Sequence, residues 1–130
     1  MDNNYLYDYA VIRIVPKVDR EEFINAGVVV SCEEKQFLEA RIYVDKQKLK
    51  AFTPEFDIKT AEVHLAVIPS ICKGGEQAGT IGKLPQRKRF NWLTSPKSTI
   101  IQMSPVHSGY CKDPAAALEH LFRTMVKTNL

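Results

Sequence analysis

No aspartate or glutamate stands between Gln77 and Lys112, although the same stretch holds Lys83, Arg87, Lys88, Arg89, Lys97 and Lys112. The whole chain is only +3, so everything outside that stretch carries 12 basic against 15 acidic residues. Positive charge segregated in this way points to an anionic ligand, an acidic protein surface or nucleic acid. Cysteine is scarce. Cys32, Cys72 and Cys111 are too few and too scattered for a disulfide framework and include no Cys-x-x-Cys pair. The three histidines, His64, His107 and His120, are not spaced as zinc ligands. The expectation is therefore no metal and no cofactor, with each thiol a small buried apolar group in a reducing compartment. No apolar run approaches the ~20 residues needed to cross a bilayer. The opening Met-Asp-Asn-Asn-Tyr has neither the basic nor the apolar part of a signal peptide. A cytoplasmic protein with no membrane partner is expected.

What is present suits one domain spanning residues 1–130, with 45% apolar and 25% charged residues. Tyr7 to Val15 is rich in aromatic and β-branched residues and stops at Pro16, the pattern of a strand. Alternation puts Tyr7, Tyr9, Val11, Arg13 and Val15 on one face and Asp8, Ala10, Ile12 and Ile14 on the other. Asp19 to Asn25 reads as a helical turn or ordered loop. Ala26–Cys32 and Phe37–Val44 read as two further strands joined by the short polar Glu33–Gln36. Connections this short favour antiparallel pairing, since a parallel crossover needs a dozen residues or more.

Asp45 is placed to cap a helix over Lys46–Phe52, which Thr53-Pro54 ends. After Asp57, a second cap, Ile58, Ala61, Leu65, Ile68 and Cys72 recur at helical spacing up to Gly74-Gly75. Pro69 within that run predicts a kink or an early end. Gly74, Gly75, Gly79 and Gly82 predict a mobile linker. Ser98–Met103 reads as a fourth strand. Asp113-Pro114 is an N-cap followed by proline at the first helical position, with Leu118, Leu121, Phe122, Met125 and Val126 along one face of a final helix. The expected fold class is α+β: an antiparallel sheet of about four or five strands with helices packed on one face.

Three constellations could carry chemistry. The glycine run fits neither the P-loop order nor the dinucleotide fingerprint and reads as a loop. Gln86-Arg-Lys-Arg-Phe-Asn-Trp92 interleaves cations and rings, which suits single-stranded nucleic acid, or else forms a basic turn with Phe90 and Trp92 anchored in the core. Thr94-Ser-Pro-Lys-Ser98, with Gln102, Ser104 and His107, offers hydroxyls, an amine and an imidazole to a phosphate or carboxylate. Within it Ser104 and His107 are a candidate nucleophile and base, with Asp8, Glu21 or Asp113 as the orienting acid. His64 reads as a packed or cap-adjacent side chain and His120 as surface.

Tyr7-Asp-Tyr-Ala-Val-Ile-Arg-Ile-Val-Pro16, Ile71-Cys-Lys-Gly-Gly75 with Ala78-Gly-Thr-Ile-Gly82, and Phe90-Asn-Trp-Leu-Thr-Ser-Pro-Lys-Ser98 with Ser104-Pro-Val-His107 resemble the DUF3037 family of bacterial proteins of unknown function. The likeness runs over nearly the whole chain. Family genes often lie beside one for a HipA-like kinase-fold protein, so the resemblance implies a helper or regulator of such a partner. The leading expectation is a non-catalytic partner-binding or regulatory module. One alternative is an enzyme acting on a phosphate ester or nucleotide with His107 as acid/base. Another is nucleic-acid binding through residues 83–97. The candidate anion-binding set is Arg13, Arg87, Arg89, Trp92, Thr94, Lys97, Ser98 and His107.

Overall fold

Strand β1 (Tyr5–Ile14) is the spine of the molecule. Along one edge it pairs antiparallel with β2 (Ile24–Cys32), which in turn pairs antiparallel with β3 (Phe37–Ile42) through the predicted short turn. Its other edge is shared. The Ile12–Ile14 end pairs with β4 (Ile101–Met103), and the Tyr5–Tyr9 end with β5 (His107–Cys111). The computed structural model describes residues 4–17, 22–97 and 99–127. Ile24 and Asn25 belong to β2 rather than to a helical turn, while 19–21 of the same predicted segment lie outside the described residues.

The helices follow the sequence signals closely. Asp45 caps α1 (Lys46–Phe52) by accepting from the Lys48 N–H, and Asp57 caps α2 (Ile58–Lys73) by accepting from Thr60. Of the predicted stripe, Ala61, Leu65, Ile68 and Cys72 are buried and Ile58 is partly buried. Pro69 does not end α2 early: the helix continues to Lys73. The glycine run is not an irregular linker either. It folds as a 3-10 turn (Glu76–Ala78) and the short α3 (Gly79–Gly82), closed by the Gly75 N–H donating to the Gly82 carbonyl at 2.8 Å. A Cβ on Gly82 would lie 2.3 Å from the Gly75 oxygen, so the close approach demands glycine there. The basic turn is a helix, α4 (Gln86–Thr94), and Asp113 caps α5 (Pro114–Met125) through the Ala115 N–H.

Among the described residues this is the expected α+β class with a five-stranded antiparallel sheet, but helices cover both of its faces rather than one, because β2 and β3 bury apolar residues on either side. Ala10, Ile12 and Ile14 of β1 share one face with Val29, Leu65, Ile68, Phe90 and Leu93, so α2 and α4 cover it. The alternate positions look the other way. There α5 packs Leu118 and Leu121 on Val28 and Val30, with Tyr7 and Tyr9 partly buried at its side. Fully burying one such aliphatic side chain stabilises the fold by ~1.5–3 kcal/mol. A β-bulge reconciles the two faces. Between Ile12↔Gly27 and Arg13↔Asn25, β2 gains one residue over β1, so Val28 and Val30 face α5 although Ile24 and Ala26 face the larger core.

Candidate functional site

The candidate residues are dispersed over the fold, and the reasons are local. Helix α4 ends where Ser95 precedes Pro96; the residue before a proline is pushed to extended backbone, and Ser95 has ψ 148°. Carbonyls of this last turn, those without a helical partner among them, accept from nearby side chains. Thr94 Oγ1 donates to the Phe90 carbonyl at 2.9 Å and Ser95 Oγ to that of Trp92 at 2.8 Å. Lys97 Nζ donates to the Trp92 carbonyl at 2.7 Å and to the Ser95 carbonyl at 3.3 Å, and lies 4.5 Å from the Trp92 ring centroid. Desolvation lowers the Lys97 pKa. The Thr-Ser-Pro-Lys text is thus a helix terminus. Ser98 lies outside the described residues.

The other cations meet partners drawn from elsewhere in the chain. Arg87 pairs with Asp8 at 2.5 Å and approaches Glu33 at 3.7 Å; Asp8 also accepts from Ser108. Burial works to raise the Asp8 pKa, but the hydrogen bonds from Ser108 and Arg87 and the guanidinium charge outweigh it and hold the carboxyl below its ordinary range. Arg89 donates to the carbonyls of Ile71 (2.9 Å), Cys72 (2.6 Å) and Leu84 (2.9 Å), stitching the end of α2 to the glycine run. Segregated in sequence, these two charges are neutralised or satisfied in space. Lys83, Lys88 and Lys112 are exposed.

Ser104 and His107 do not form a dyad. From Ile12↔Met103 to Tyr9↔His107 β1 advances three residues while the opposing strand advances four, so a bulge separates β4 from β5. Ser104, 4% exposed, sits in it: its N–H donates to the Val11 carbonyl at 2.9 Å, and its hydroxyl accepts from the Val11 N–H at 2.8 Å while donating to the Pro105 carbonyl at 2.9 Å. The hydroxyl replaces a backbone acceptor in the ladder. His107 is exposed, its ring 5.4 Å from that of Tyr9. Of the candidate orienting acids, Asp8 is held as above, Asp113 caps α5, and Glu21 lies outside the described residues. Arg13 stands on the α5 face with its guanidinium carbon 4.0 Å from the Phe23 ring centroid. Arg13, Lys97 and His107 therefore do not share a pocket.

One concave feature does gather part of the singled-out text. Between α2, α4 and β4 lies a cavity of about 330 Å³, open to solvent. Val63, Val67 and Ile71 form its α2 wall, and Trp92 and Leu93 its α4 wall. Ile101 and Met103 close it from β4, and His64, Ser95, Lys97, Thr99 and Gln102 supply the polar edges. Gln102 Nε2 donates to the Thr99 carbonyl at 3.0 Å. Trp92 is not a core anchor: it is 39% exposed, whereas Phe90 on the inner side of α4 is 1% exposed. His64 is not packed but exposed at this rim, and His120 is exposed as expected. Sequence reasoning passed over Val63 and Val67, although two valines four apart, off the buried stripe of α2, are the signal of a second apolar face.

Fold and site together define a small α+β domain with an exposed apolar groove. The chain belongs to the DUF3037 family, "Protein of unknown function (DUF3037)", whose model matches residues 9–126. No curated protein and no solved structure matches it. Among the described residues, no helix is long and apolar enough to cross a membrane.

Proposed function

We propose that the protein is a non-catalytic partner-binding or regulatory module of the bacterial cytoplasm, engaging another protein through the groove between α2, α4 and β4. The observation that carries this reading is the rim: Val63, Val67 and Trp92 are 66%, 49% and 39% exposed and converge on one cavity. Clustered exposed apolar side chains mark surfaces where a partner displaces water. The alternatives draw less support. A phosphate-ester enzyme built on His107 would want Lys97 and Arg13 beside it, and they stand elsewhere. A nucleic-acid site at 83–97 would want Arg87 and Arg89 free, and both are engaged within the fold.

A HipA-like kinase-fold protein from the same genome is the partner to test. Co-expressed with it and tagged, the wild-type chain should capture it, and Val67→Glu should lose the capture while keeping its melting temperature. Failure of the wild type to bind, or binding indifferent to Val67→Glu, would refute the proposal.

A further inference from the structure

The geometry points to a definite occupant: we infer, resting on the binding reading above, that the groove takes the apolar face of a partner's amphipathic helix, with a carboxylate at the Lys97 end. Size comes first. A cavity of ~150 Å³ holds a benzene ring, so about 330 Å³ accepts roughly two large side chains rather than a whole cofactor. The apolar lining is also elongated, with Val63 and Val67 exposed and Ile71 buried at its floor. Val63, Val67 and Ile71 follow one another turn by turn along α2, a rise of ~12 Å, with Trp92 facing them from α4. A trough of this length between helices matches residues at i, i+3 or i+4, and i+7 of an incoming helix. Trp92 is the side-chain type that most often dominates such contacts.

Charge sets the flank. Among the described residues the cavity lining includes no acidic side chain, and Lys97 is its one Lys or Arg. Among the described residues no carboxylate pairs with Lys97; its neighbours are the carbonyl oxygens at the end of α4. Lys59, four residues before Val63 on α2, adds a second cation toward the other end of the same stripe. Desolvation already disfavours the Lys97 ammonium, and an arriving carboxylate would restore it. An acidic, apolar-faced helix complements these features, whereas a basic one would meet the Lys97 ammonium, which no carboxylate among the described residues neutralises.

The test is selection of displayed random peptides, roughly four helical turns long, on the full chain. Enriched sequences are then titrated as fluorescent synthetic peptides. Expected are apolar residues at helical spacing with Asp or Glu on a flank, binding weakened about 30-fold or more by Val67→Glu, and several-fold weaker binding when the peptide's own acid is made Gln. The peptide change leaves the protein untouched, so it cannot fail through misfolding. Enrichment of nothing, of basic peptides, or of peptides indifferent to Val67→Glu overturns the inference. So does dodecanoate shifting the groove's NMR signals where no peptide does, or self-association that Val67→Glu abolishes. If Val67→Glu abolishes capture of the kinase-fold protein while the selected peptides lack the pattern, the helix inference fails and the binding reading stands.

Discussion

Replacing Ser104 with alanine separates a structural role from a chemical one. In the folded chain the Ser104 hydroxyl accepts from the Val11 N–H at 2.8 Å and donates to the Pro105 carbonyl at 2.9 Å, in a site only 4% exposed. Alanine removes the oxygen and leaves the Val11 N–H without its acceptor. A buried N–H left without an acceptor costs about 1–3 kcal/mol. With an unfolding entropy of ~2.1 cal/mol/K per residue over this chain, that cost lowers Tm by about 4–11 °C. A thermal melt followed by circular dichroism reads the shift, and amide hydrogen exchange localises it, since Val11 should lose protection first. Ser104→Cys, similar in shape but a weak acceptor, should fall between. A Ser104→Ala protein melting within about 1 °C of wild type, with Val11 still protected, would refute the reasoning and reopen a chemical role for the hydroxyl.

Three further outcomes are expected. Arg89→Met should lower stability by about 2–4 kcal/mol in urea melts, because two carbonyls at the α2 terminus and that of Leu84 lose a charged donor, and Arg89→Lys should not rescue it since one ammonium cannot span all three. Gly82→Ala should cost about 1–3 kcal/mol and open the 74–82 segment to limited proteolysis, since the added methyl collides with the Gly75 oxygen. Asp8, whose folded pKa lies below its unfolded value, contributes stability that is present above about pH 4 and lost as pH falls through the folded value. Acid titration of stability should therefore be shallower in Asp8→Asn than in wild type, and equal slopes would remove Asp8 from the account.

Helix starts and stripes were legible because they depend on neighbours in the chain. Asp45, Asp57 and Asp113 cap the helices that follow them, and the spacing of Leu65, Ile68 and Cys72 marks the buried side of α2. The glycine run misleads for the opposite reason. Its glycines are needed for close packing of Gly75 on Gly82, a contact that composition cannot distinguish from flexibility. The Thr94–Lys97 text likewise reads as a ligand cluster until the end of α4 is seen to need those donors.

By itself, then, the order of residues determined the α+β class, the antiparallel pairing of the first three strands, the helix caps and the buried stripes, because periodicity and capping act over a few residues. It also marked 77–112 by charge. Only tertiary structure decided what that charge meets: Asp8 and Glu33 for Arg87, and carbonyls for Arg89 and Lys97. It also decided that Val63 and Val67 of one helix face Trp92 of another across an open cavity. The physical reason is distance along the chain. A groove is made by residues tens of positions apart whose meeting is set by the sheet register and helix packing, and no local pattern records it.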